Sequence, residues 1–168
     1  MVKPLVREVP ITYDGPTVTC PSCNATIAIN SPTGWTIRSP RDVYDNMAAD
    51  MGALEREELR VLVLNTKNNV LRVATVYSGN VSSTLVRVGE LFREAVRDNA
   101  TGIVLVHNHP SGDSTPSPDD LHLTTEALAA GRLLDIDVLD HIVIAADSFV
   151  SLRDRGVAFD RRAVAARL

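Results

Sequence analysis

The chain has 168 residues, 45% of them hydrophobic, a formal net charge of −4 and two cysteines. That length suits one core, since domains commonly run about 100–150 residues, and no apolar run approaches the ~20 residues of a membrane span. The acidic balance argues against nonspecific nucleic-acid binding, which needs concentrated Lys and Arg; Arg153, Arg155, Arg161 and Arg162 are better read as a charged chain end than as a basic patch.

Residues 1–36 form an N-terminal extension of different character. Thr17-Val18-Thr19 and Thr26-Ile27-Ala28-Ile29 read as two short strands around Cys20-Pro21-Ser22-Cys23, a hairpin with a thiol pair at its tip. Ser31-Pro32-Thr33-Gly34 then reads as a linker or turn. Met1-Val2-Lys3-Pro4-Leu5 lacks the apolar segment of a signal peptide, so a cytoplasmic location is expected.

The main domain is expected over 37–160, with 161–168 as a tail. Ser39-Pro40-Arg41-Asp42 predicts a helix start, with Val43, Met47, Met51 and Leu54 as its apolar face. Strands are predicted over Leu59–Asn65 and Val70–Tyr77. A helix near Gly89–Asp98 would turn Leu91, Phe92, Ala95 and Val96 inward. A buried strand over Gly102–Val106 follows, then a helix over Pro118–Leu134 with Leu123, Ala127, Ala130 and Leu134 on one stripe. Strands over Val138–Ala145 and Phe149–Ser151 close the domain. The expected class is α/β, a mixed sheet flanked by helices.

The chemistry concentrates in His107-Asn108-His109-Pro110-Ser111-Gly112-Asp113 and the Ser117-Pro118-Asp119-Asp120 that follows. Residues two apart on a strand point the same way. If the strand runs through the motif, His107 and His109 project together from its end, as two neutral imidazoles suited to zinc. Asp120 would be the third ligand, in the first turn of the next helix. Three protein ligands plus water is the pattern of a catalytic zinc site, whereas structural sites close with four. Residue by residue, plainer readings stay open. Ser117 and Asp120 make a capping box, Asn108, Pro110 and Gly112 suit a turn, and the histidines suit a loop. His141, inside a predicted strand beside Asp140, reads as structural. The string His-Asn-His is weak evidence for a nuclease, because the nucleases known by those letters spread the three residues over a ββα unit.

His107-x-His109-Pro110 followed by Ser117-x-x-Asp120 resembles the metal-binding motif of the JAB/MPN/JAMM metallopeptidase superfamily. With Leu139-Asp140-His141-Ile142-Val143-Ile144 and Phe149-Val150-Ser151-Leu152-Arg153-Asp154-Arg155-Gly156, the wording is similar to its RadC branch, from roughly Ser39 to Gly156. The resemblance implies a JAB/MPN-like, cytidine-deaminase-like layout and a zinc-dependent hydrolase of peptide or isopeptide bonds, acting on a protein or peptide. It implies one catalytic Zn2+ per chain on His107, His109 and Asp120, an upstream glutamate as general base and Ser117 beside the oxyanion. Glu55, Glu57 and Glu58 are the candidate bases, and matching Glu55-Arg56-Glu57 to the branch selects Glu57 as catalytic.

Two other functions compete: a noncatalytic binding module of the same fold, and a nucleic-acid processing role suggested by the branch's "DNA repair" label. The intact ligand set counts against the first and the acidic charge against the second. For Cys20 and Cys23 three readings stay open: half of a zinc site shared between two chains, a redox couple, or a pair that binds nothing. The first is carried forward as a second, intermolecular zinc that would make a homodimer through the hairpin, because a thiolate site closes with four ligands and one chain supplies two.

Overall fold

A computed structural model describes residues 17–19 and 26–28 as strand backbone, and residues 34–79 and 86–159 in full. The chain divides into two units, Met1–Ser31 and Pro32–Leu168. In the first, β1 (Thr17–Thr19) and β2 (Thr26–Ala28) pair antiparallel, with Val18 opposite Ile27.

The second unit is the α/β fold expected: a five-stranded mixed sheet with helices packed on it. Its elements are α1 (Pro40–Met51), β3 (Glu57–Leu64), β4 (Val70–Gly79), α2 (Val88–Arg97), β5 (Gly102–Asn108), α3 (Pro118–Leu134), β6 (Asp137–Ile144) and β7 (Phe149–Ser151). The strand order is β4-β3-β5-β6-β7. Among the described strands only β5 and β6 run parallel, joined by the crossover helix α3, as parallel neighbours require. No helix among the described residues is long and apolar enough to cross a membrane.

The side-chain alternation of the strands sorts the core into two layers. Leu59, Val61, Val63, Ile103 and Leu105 face α2 and α3, where they meet Leu91, Phe92, Leu123 and Ala127. Leu62, Leu64, Val104, Val106, Ile142 and Ile144 face the other way, onto Val43, Met47 and Met51 of α1. β5 is buried along its whole length because both faces are covered, which is why it reads as a continuous apolar run. At Gly131, α3 comes close to the turn that leads into β6 and to the strand itself: a Cβ would stand 2.5 Å from the Ile136 carbonyl oxygen and 3.2 Å from the Val138 side chain.

Three sequence expectations are corrected. Val96 is 58% exposed, not inward; at 100° per residue it stands about 90° around α2 from the centre of the Leu91–Phe92–Ala95 face. Leu134 is 46% exposed, because it ends α3 just before Asp135 turns the chain back in the left-handed region. Val96 and Leu134 line one shallow groove at the C-terminal ends of α2 and α3. Leu54 lies beyond α1, which stops at Met51 with Gly52 as its cap, yet it still packs on the same core layer.

Candidate metal centre

The layer facing α2 and α3 carries the polar residues of the motif. In β5, Ile103 and Leu105 point to that layer, so alternation sends His107 the same way, 2% exposed at the strand's C-terminal end. His109 follows one residue past the strand, its backbone N–H still held by the Ile144 carbonyl at 2.8 Å. The loop then turns through Gly112, at φ +83°. Ser117 caps α3 and Pro118 starts it, which brings Asp120 to the first turn, 5% exposed.

The three side chains converge. His107 Nε2 and His109 Nε2 are 2.8 Å apart. The Asp120 carboxylate lies 3.2 Å from His107 Nε2 through Oδ1 and 3.6 Å from His109 Nε2 through Oδ2. One ligand atom from each lies within 4.8 Å of the others, so the group could hold a metal ion. The donor chemistry fits such an ion. His109 Nδ1 faces the Asp113 carbonyl oxygen at 2.7 Å and must donate to it, which leaves Nε2 as a lone pair in the neutral ring. Two imidazole nitrogens and a carboxylate, gathered in a largely buried corner, suit a borderline divalent cation such as zinc.

Burial pulls His107 down to about 4, so it is neutral, as a ligand must be. The hydrogen bond to Asp120 raises His109 most, against burial, with the Asp113 carbonyl and the charge of Glu57 adding to it. Burial pushes Asp120 up, but the hydrogen bond His109 gives when protonated, the charge His107 carries when protonated and the Ser117 contacts together hold it well below the usual carboxylate range.

Register separates the candidate glutamates. β3 starts at Glu57, two residues earlier than the sequence suggests, and pairs with β5 with Leu59 opposite His107. Opposed residues on antiparallel strands share a face, and by alternation Glu57 shares that of Leu59 and His107. Glu58 falls on the opposite face and is paired with Arg60 at 2.8 Å. Glu55 is exposed on the turn before the strand. Glu57 is therefore the one of the three that stands beside the metal group, where its charge acts on His109.

Ser117 does the work of a cap: its Oγ accepts from the Asp120 N–H at 3.2 Å and donates to Asp120 Oδ2 at 2.7 Å. Its hydroxyl hydrogen is thus directed at a candidate ligand. Cys20 and Cys23 lie outside the described residues.

Two residues here were not singled out in the sequence. Asn108 read as turn material but ends β5, 1% exposed; its Oδ1 accepts from the Glu58 N–H at 2.7 Å and its Nδ2 donates to the Arg56 carbonyl at 3.0 Å. Thr124 is fully buried on α3 and meets His141 Nδ1 at 2.6 Å, while His141 Nε2 meets His107 Nδ1 at 3.0 Å. The signal for Thr124 was available, as a hydroxyl residue one turn after Asp120 on an otherwise apolar stripe. His141 is structural in that sense, backing a candidate ligand, and burial pulls it down to about 3. Asp140 turns away, accepting from Ser151 Oγ at 2.6 Å and from the His141 N–H at 2.7 Å.

Fold and corner together define a protein of the class that brings two histidines at the end of a central strand and an aspartate of the next helix into one group that could hold a metal ion. Residues 37–157 match the RadC-like JAB domain, and the chain belongs to that family. It is 54% identical over 125 residues to a UPF0758 protein of Roseiflexus castenholzii, 50% over 126 residues to one of Chloroflexus aggregans and 43% over 121 residues to one of Desulfitobacterium hafniense. These matches cover 74%, 75% and 72% of this chain but 54%, 55% and 53% of the relatives. The chain thus spans about half the length of the proteins it resembles.

Proposed function

We propose that this chain is a zinc-dependent hydrolase that cleaves peptide or isopeptide bonds in a protein or peptide substrate. The observation that carries the reading is the placement of Glu57 on the same sheet face as the converging His107, His109 and Asp120. When bound, zinc would supply a Lewis acid that acidifies water and polarises an amide carbonyl.

The chain's own residues divide the remaining work. His107, His109 and Asp120 would hold the ion, as three protein ligands do in a catalytic zinc site. Glu57 is not a ligand in this scheme, so its carboxylate accepts a proton from water and later delivers it to the departing nitrogen. Ser117 donates a hydrogen bond to the developing oxyanion by swinging its hydroxyl from Asp120 Oδ2. Water and the amide become a carboxylic acid and an amine, and Glu57 returns to its starting state.

The test is hydrolysis of quenched-fluorescence peptides and lysine-linked isopeptides by the full chain, with and without a chelator. Metal-dependent cleavage that is lost in Glu57→Gln is the expected result. A chain that holds zinc at this site and cleaves neither class of bond is instead a binding module.

A further inference from the structure

We propose that Thr124 sets the proton order of a buried relay, Thr124–His141–His107, that holds His107 as its Nδ1–H tautomer and turns the Nε2 lone pair toward the metal. The inference rests on the reading of His107 as a metal ligand, and names Thr124 and His141 as positioning residues for it.

The order follows from counting hydrogens along the chain. Thr124 Oγ1 lies 2.5 Å from the backbone carbonyl oxygen of Asp120. A carbonyl oxygen can only accept, and a hydroxyl has a single hydrogen to give. That hydrogen is committed to Asp120. Toward His141 Nδ1, at 2.6 Å, Thr124 can therefore only accept, so Nδ1 carries the ring hydrogen of His141. A neutral imidazole has one such hydrogen, and His141 Nε2 is left bare. Its neighbour at 3.0 Å is His107 Nδ1, which must donate. The hydrogen of His107 then sits on Nδ1, and its Nε2 lone pair faces His109 Nε2 at 2.8 Å and Asp120 Oδ1 at 3.2 Å.

Water does not reverse the order, because Thr124 and His141 are fully buried and His107 is 2% exposed. Every buried side-chain nitrogen and oxygen among the described residues has a partner within hydrogen-bonding distance. The relay also starts on the backbone of Asp120, so two candidate ligands from different elements are fixed by one series of bonds. Partners of this kind orient ligating histidines and select their tautomer. Removing the Thr124 hydroxyl leaves His141 Nδ1 without its acceptor. The ring hydrogen can then move to Nε2 and donate to His107 Nδ1, which places the His107 hydrogen on Nε2, the atom that must face the metal.

The experiment uses the full chain, zinc-loaded and after chelation. Long-range 1H–15N spectra assign the ring hydrogen of His107 and His141, and competition with a chromophoric chelator gives zinc affinity. In the wild-type protein both rings are expected to carry the hydrogen on Nδ1. Thr124→Val should lose that form and bind zinc roughly ten- to a hundredfold more weakly, while Thr124→Ser, which keeps the hydroxyl, should retain both. A wild-type His107 protonated on Nε2 after chelation would overturn the proposal, and so would an unchanged tautomer and affinity in Thr124→Val. Should Thr124→Val fail to fold, the wild-type spectrum and Thr124→Ser still decide. Neither readout involves hydrolysis, so an inactive chain would remove the proposed function and leave this inference standing.

Discussion

Asn108 holds the chain on both sides of Glu57: its amide accepts from the Glu58 N–H at 2.7 Å and donates to the Arg56 carbonyl at 3.0 Å. The residue between the two histidines thus fixes the backbone that carries the glutamate. It does so from the opposite sheet face, where it competes neither for the metal nor for the carboxylate.

Asn108→Ala should separate the two halves of the site. It leaves the Glu58 N–H and Arg56 carbonyl without this partner, at a cost of about 1–3 kcal/mol, measurable by urea denaturation. Zinc content should stay, because His107 and His109 keep their own contacts, while turnover falls as Glu57 loses its fixed position. A variant that loses zinc but keeps the turnover of its loaded fraction would show that Asn108 serves the ligands instead.

Glu57→Gln should retain zinc and lose about 10²–10⁴ in rate, the usual contribution of a general base. Glu58→Gln should cost little activity, since Glu58 faces Arg60 and the opposite side of the sheet. Steady-state kinetics of the two variants in parallel makes the comparison. The reverse ranking would place the base one residue along.

Ser117→Ala should destabilise the protein by about 1 kcal/mol through the lost helix cap. It should also lower turnover without changing zinc content. Thermal denaturation and kinetics on the same preparation separate the roles. Lowered stability with unchanged kinetics would leave Ser117 a cap alone.

The metal-free protein should lose stability on acidification. His107 and His141, ordinarily near 6.5, are pulled down by burial to about 4 and about 3 in the fold. Below about pH 6.5 the unfolded chain takes up protons that the folded chain refuses. Stability is therefore greatest above that pH and is lost as pH falls toward 4 for His107 and toward 3 for His141, by up to about 1.4 kcal/mol per pH unit for each proton. His109 is raised, chiefly by its hydrogen bond to Asp120, and opposes this in part, as one group against two. Urea midpoints that rise between pH 6.5 and pH 4.5 would contradict the assignment of both buried rings as neutral.

Much of this site could be read before the fold was known, for identifiable reasons. The two-residue repeat of a strand brings His107 and His109 together, and the Ser117-Pro118-Asp119-Asp120 helix start brings in Asp120. Both are local rules. The choice of Glu57 over Glu58 was carried by resemblance, because strand parity could not be applied without knowing that β3 begins at Glu57. That start follows from the pairing of Glu57 with Gly79 of β4, twenty-two positions away in sequence. Thr124 carried a local signal, but its partner could not be read locally: His141 reaches it only through the β5–β6 crossover. Val96 was misread because it stands at the margin of the α2 face, and Leu134 because periodicity gives a helical face but not where the helix stops.

The most direct test of the metal centre is elemental analysis of a Cys20→Ser/Cys23→Ser protein, in which the thiol pair can contribute nothing, with and without Asp120→Ala. The structure predicts about one zinc per chain in the first protein and its loss in the second, because two histidines alone do not hold an ion in an open site. Zinc that survives Asp120→Ala undiminished, or a parent protein that binds none, would contradict the assignment of His107, His109 and Asp120 as the ligand set.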